Sequence, residues 1–132
     1  MRSKIKYGAF ITGCCLYCFG VHGQPINITT DEVKNMSLKE CLDINYRKLG
    51  LYDGNGPGVK DKSYLLKWYA IDNDSTKKSK ELKNFIRREA GGYYRAKPPL
   101  KEINNVNMVF ELCMHFYKSD KLNRFIVGNI MK

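Results

Sequence analysis

The chain has 132 residues, with 23 Lys and Arg against 13 Asp and Glu, a net charge of +10 and five cysteines. That length suits one domain with one modest core and excludes a second. The positive balance favours acidic partners or anionic surfaces by long-range attraction and is silent about fold.

The first 23 residues read as a secretion signal. Arg2, Lys4 and Lys6 form a basic start without an acid, Gly8 to Val21 is an apolar run, and Val21-His22-Gly23 ends in small residues where a signal peptidase cuts. The run of 14 residues is shorter than the ~20 a spanning helix needs, so export is expected and no stable membrane anchor. Ile11-Thr12-Gly13-Cys14 offers a second route, a bacterial lipoprotein cleavage box with Cys14 lipidated. Cleavage after Gly23 leaves a single domain over residues 24–132, starting at Gln24, with a charge of +7 because three basic residues and no acidic ones depart.

Along this mature part the clear apolar periods are helical. Leu38, Cys41, Leu42, Asn45, Tyr46 and Leu49 recur at i, i+3, i+4, with Ser37 and Glu40 spelling a capping box at the start and Gly50 a stop. Asp53 to Gly58 holds three glycines and a proline and predicts a loop. Tyr64, Leu65, Trp68, Tyr69 and Ile71 predict a short helix from about Asp61 or Ser63, and Asp72 to Ser75 a turn. Ser75 or Thr76 can cap a third helix that turns Leu82, Phe85 and Ile86 inward until Gly91-Gly92. The polar segment from Arg95 to Asn105, stiffened by Pro98-Pro99, predicts a second loop. Val109, Leu112, Cys113 and Phe116 mark a fourth helix; Ser119 caps a short fifth with Leu122, Phe125 and Ile126 inward. No alternating strand or internal repeat stands out, so the fold class is all-α, a small bundle of four or five helices.

Once the signal is removed only Cys41 and Cys113 remain. In an exported domain they form either one disulfide, worth ~2–4 kcal/mol, or two buried thiols. Both sit on apolar stripes, so a bridge would tie the first helix to the fourth. The mature chain has no Cys-x-x-Cys or His-x-x-x-His spacing, and no metal or cofactor is expected.

Catalysis finds no residue set. Cys113 and His115 lie two apart on one helix and face different ways, which denies a Cys-His pair its geometry and leaves His115 on a polar face. Asp72 with Asp74, and Asp31 with Glu32, read as turn formers and caps. The glycine-rich loop lacks the Lys-Ser/Thr ending of a phosphate loop. Three glycosylation sequons, at Asn27, Asn35 and Asn73, matter only in a eukaryotic source. The basic residues are spread over Lys77 to Lys80, Arg87-Arg88 and Arg95 to Lys97 without a recognition motif, so no nucleic-acid partner is expected. The chain therefore reads as a binder and not an enzyme. Tyrosine brings contact area at low entropy cost, which points to Tyr52, Tyr93, Tyr94 and the two loops, whereas Tyr46, Tyr64 and Tyr69 read as core.

Four segments carry a family resemblance: Ser37-Leu38-x-x-Cys41-Leu42, Asp61-Lys62-Ser63-Tyr64, Leu82-Lys83-Asn84-Phe85-Ile86, and Leu112-Cys113-Met114-x-Phe116-Tyr117-x-Ser119-x-x-Leu122. Together they resemble the type VI secretion amidase immunity proteins, the last segment most of all. The resemblance implies a small, all-helical, periplasmic protein, often a homodimer, that neutralises a peptidoglycan amidase delivered by neighbouring bacteria by plugging its cysteine peptidase-like cleft with a loop. Of the two loops, the one running to Asn105 is favoured for its prolines, and the residues chosen as partner-binding are Tyr94, Arg95, Lys97, Pro98, Pro99, Lys101 and Glu102, with Asn55 at the tip of the other. Two further readings stand beside this one. One is a basic exported protein that binds anionic envelope components. The other is a small hydrolase using His115 or a thiolate of Cys41 or Cys113.

Overall fold

The computed structural model describes residues 27–52, 62–72, 77–99 and 106–132. The expected secretion signal lies outside these residues, as do the glycine-rich tip with Asn55, the Ser75 and Thr76 caps, Lys101 and Glu102.

The chain is an all-α bundle, and no strand occurs among the described residues. The helices are α1 (Thr30–Lys48), α2 (Leu65–Ile71), α3 (Lys77–Ala90), α4 (Val109–Lys118) and α5 (Asp120–Phe125). A 3-10 turn at Tyr93–Arg95 follows α3, and a π-helical turn at Ile126–Ile130 extends α5. α1 is the central element and lies against α3, α4 and the C-terminal turn, while α2 lies on α3.

The start of α1 departs from the expected Ser37 cap. Thr29 is the N-cap: its Oγ1 accepts from Glu32 N–H at 3.2 Å, and Glu32 Oε2 accepts from Thr29 N–H at 2.8 Å. This is the same capping-box spelling eight residues upstream, and it prevails because the added turns bury Val33 and Met36. Ser37 then sits buried inside the helix, its hydroxyl donating to the Val33 carbonyl at 2.8 Å. Glu32 also pairs with Lys67 at 2.7 Å, which ties the first turn of α1 to α2. At the other end Gly50 takes φ +71°, the left-handed conformation that stops the helix, as its position in the sequence suggests.

The core gathers Val33, Met36 and Cys41 from α1 and Leu82, Phe85, Ile86 and Ala90 from α3. The C-terminal half adds Val109, Cys113, Phe116, Leu122, Ile126 and Ile130. Phe85 stacks on Phe125 with centroids 4.0 Å apart, closing α3 against α5. Cys41 and Cys113 form a disulfide, with Cα atoms 5.9 Å apart, that joins α1 to α4 across 72 residues of sequence. Ser119 caps α5 as expected, its Oγ accepting from Leu122 N–H at 3.2 Å and donating to the Phe116 carbonyl at 2.7 Å. Tyr69 contradicts its core assignment. It is 66% exposed, because α2 is covered on one face only, whereas Tyr46 and Tyr64 pack against the core.

Candidate functional site

The segment between α3 and α4 is shaped by its first residues. α3 ends at the buried Ala90, and a Cβ on Gly91 would stand 2.4 Å from the Arg87 carbonyl oxygen, so only glycine makes this turn without displacing backbone. Arg95 N–H then donates to the Gly92 carbonyl at 3.1 Å and Ala96 N–H to that of Tyr93 at 3.0 Å, closing the 3-10 turn. Ala96 leaves it in extended geometry, φ −67° and ψ 132°, and Lys97 precedes Pro98-Pro99, a pairing that favours extended backbone.

The turn is fastened from beneath by Asn45, a fully buried residue of α1. Its Nδ2 donates to the carbonyls of Cys41 at 2.8 Å and Ala90 at 2.9 Å, and its Oδ1 accepts from Tyr94 N–H at 2.8 Å. Both amide hydrogens and the oxygen are used, which a buried amide requires. Losing such a partner in the interior costs about 1–3 kcal/mol. The sequence puts Asn45 on the apolar stripe, but nothing local shows that it grips the 3-10 turn.

Above this anchor lies a surface groove of about 420 Å³. It is lined by Tyr94, Arg95, Ala96, Lys97 and Pro98 together with Leu49, Leu51, Val106 and Asn107. Leu51 is 60% and Val106 50% exposed, so the groove sets bare aliphatic surface beside two cations, Arg95 and Lys97. The Arg95 guanidinium lies 5.3 Å over the Tyr94 ring. Tyr94 and Pro98 are half-buried, and Pro99 is exposed. Sequence reasoning selected the loop but missed Leu49, Leu51 and Val106. Leu49 continues the apolar period of α1, yet it is the C-cap of the helix and is exposed.

A second groove, of about 360 Å³, is lined by Tyr52 and Tyr64 beside Leu38 and Leu42 of α1. Tyr52 packs edge-on against Tyr46, with centroids 5.6 Å apart. A third groove, of about 560 Å³, runs between α1 and α3 and carries Arg47, Lys48, Lys83 and Arg87 beside Glu40 and Asp43. Asp43 is paired with Lys39 at 2.7 Å, which leaves the groove cationic in balance.

The sulfurs of Cys41 and Cys113 are bonded to each other and fully buried, so neither offers a thiolate nucleophile. The His115 side chain is exposed and lies 3.9 Å from Glu111 on the same helix. The shifted carboxyls belong to ion pairs. The Lys67 ammonium, with the Thr29 backbone, lowers Glu32, and the Lys121 ammonium, with Arg88, lowers Glu89. Burial raises the Tyr93 phenol, helped by the nearby Glu89 charge. No group of three metal-ligating side chains occurs among the described residues, and no described helix is long and apolar enough to cross a membrane. No protein-family model, curated protein or solved structure matches the chain.

Proposed function

We propose that this chain is an immunity protein, exported to the periplasm, that binds a peptidoglycan amidase delivered by a type VI secretion system and blocks its catalytic cleft. The observation that carries the reading is the turn at Tyr94, which is anchored by a buried amide and shares its groove with exposed Leu51 and Val106. A plug must be ordered before it binds, since fixing a loose side chain on association costs about 0.5–1.5 kcal/mol. The amidase as partner, the periplasmic location and pairing as a homodimer come from the resemblance of the Cys41 and Leu112–Leu122 segments. Inhibition in this reading is steric and needs neither catalytic residue nor cofactor, and the aliphatic groove supplies affinity while Arg95 and Lys97 select acidic or polar rim groups.

The test is a pull-down of residues 24–132 with the amidase encoded beside it, followed by peptidoglycan hydrolysis with and without the chain. Stoichiometric binding with loss of hydrolysis is expected. Arg95→Glu and Val106→Asp, both at exposed positions, should each weaken binding at least ~10-fold, the scale of a lost anchor contact. An active amidase that is neither bound nor inhibited would overturn the reading. The cationic groove between α1 and α3 would then favour the alternative, a basic exported protein that binds anionic envelope components with steep salt dependence.

A further inference from the structure

Cys41 and Asn45 lie one helical turn apart on α1, and both are fully buried. From this turn α1 reaches both flanks of the segment between α3 and α4. Asn45 holds the upstream flank through the Ala90 carbonyl and the Tyr94 N–H. Cys41 holds the downstream flank covalently, because Cys113 lies one turn into α4. An asparagine is a poor choice for a helix interior, and a buried amide is costly beside a leucine of similar volume. Its three hydrogen bonds run to α1, to the end of α3 and to the 3-10 turn, so its contribution is to place the turn relative to the helices.

We propose that Asn45 is the positioning residue of the partner-binding groove lined by Tyr94 to Pro98 and Val106, and that the Cys41–Cys113 bridge is its second anchor, so that the groove holds its binding shape only in the oxidised chain. The functional half of this rests on the reading of the loop as the amidase-blocking element. Closing the bridge forms one Sγ–Sγ bond from two thiols, and two electrons and two protons pass to an oxidising disulfide, which leaves as a dithiol. Before oxidation α4 is held to α1 by packing and the Lys34–Tyr117 cation–π contact without a covalent tie, and Val106, just ahead of α4, moves with it. The reduced chain is then a weak inhibitor, and the chain becomes competent where thiols are oxidised.

Hydrogen exchange by NMR tests the anchor without a partner. In the oxidised wild-type chain the Tyr94 amide should be protected far more than that of the exposed Lys97, and free exchange at Tyr94 would overturn the proposal. The comparison set is the wild-type chain refolded in a dithiol, Asn45→Ala, and Leu122→Ala, a core truncation in α5 as a control for general destabilisation. In Asn45→Ala the Tyr94 amide, and in the reduced chain the Leu112 amide at the start of α4, should exchange at least ~10-fold faster relative to the Ile86 amide in α3, and in Leu122→Ala the three amides should change together. Affinity for the amidase should fall at least ~10-fold in the first two and far less in Leu122→Ala. Unchanged Tyr94 protection in Asn45→Ala, or unchanged Leu112 protection after reduction, refutes the anchor, and lost protection with unchanged affinity refutes its link to binding. If Asn45→Ala or the reduced chain does not fold, the oxidised wild type in rising sub-denaturing urea decides. Tyr94 opening together with α1 and α4 supports the anchor, and opening ahead of them refutes it. Failure of the oxidised wild type to bind refutes the immunity reading instead, and the exchange pattern still judges the anchor.

Discussion

Replacing Gly91 by alanine and Gly128 by alanine makes the same chemical change with opposite expected signs. At position 91 the new Cβ would lie 2.4 Å from the Arg87 carbonyl oxygen and 3.2 Å from its carbon, and this obstacle is backbone. Relief requires lifting the turn off the end of α3, which strains the Gly91 N–H bond to that same carbonyl, 3.0 Å long. Forcing a methyl into such a contact costs about 1–3 kcal/mol, and the reduced freedom of the unfolded chain returns about 0.4–1 kcal/mol. At the midpoints of these ranges the net is a loss of about 1.3 kcal/mol, or a fall in Tm of roughly 5–10 °C for a domain this small. At position 128 nothing lies within 4 Å of the new Cβ and φ is not positive, so the unfolded-state term acts alone. Gly128→Ala should therefore stabilise by about 0.4–1 kcal/mol and raise Tm by a few degrees. Thermal unfolding followed by far-UV circular dichroism measures both. Shifts of the same sign, or a Gly91→Ala Tm within about a degree of wild type, would refute the reasoning from close approach.

Reducing the Cys41–Cys113 bridge releases a loop of 72 residues, for which chain entropy gives about 4 kcal/mol, so the urea midpoint should fall steeply; a loss under about 1 kcal/mol would mean that the reduced chain stays ordered around α1 and α4. The Glu32 and Glu89 carboxyls titrate below their ordinary value of 4.5 when folded, so their stabilisation is present above that value and is lost as pH falls through it toward the folded pKa values. Urea midpoints should therefore drop between about pH 6 and pH 3, and Lys67→Ala combined with Lys121→Ala should flatten the curve; an equally steep curve in the double variant would assign the acid loss elsewhere. Ser119→Ala removes the cap between α4 and α5 and should cost about 1 kcal/mol in thermal unfolding. Ser119→Asp, which still accepts from Leu122 N–H, should recover part of that loss, and two equal variants would show that the cap is not the cause.

The features legible in the sequence are those whose physics is local. Period 3.6 in Leu82, Phe85 and Ile86 set the buried face of α3, Gly50 stopped α1 and Ser119 started α5, each through contacts within four residues. The same periodicity placed Cys41 and Cys113 on buried faces, which made their bridge one of two outcomes. Tertiary packing chose it by bringing the two Cα atoms to 5.9 Å. Where two local signals competed, at Thr29 and Ser37, the choice fell to the burial of Val33 and Met36, a non-local gain. Tyr69 belongs to an apolar stripe yet faces solvent, because a short helix can carry more apolar surface than its neighbour covers. The candidate site was legible only as a proline-stiffened loop. Its anchor joins Asn45 to Ala90 and Tyr94, 45 and 49 residues away, and its groove joins Leu51 to Val106. Helix period and caps are written within single turns of the chain and so belong to the sequence. The amide that grips the loop, and the aliphatic surface beside it, exist only once α1 has met α3 and α4, because their partners are distant in the chain and adjacent only in the fold.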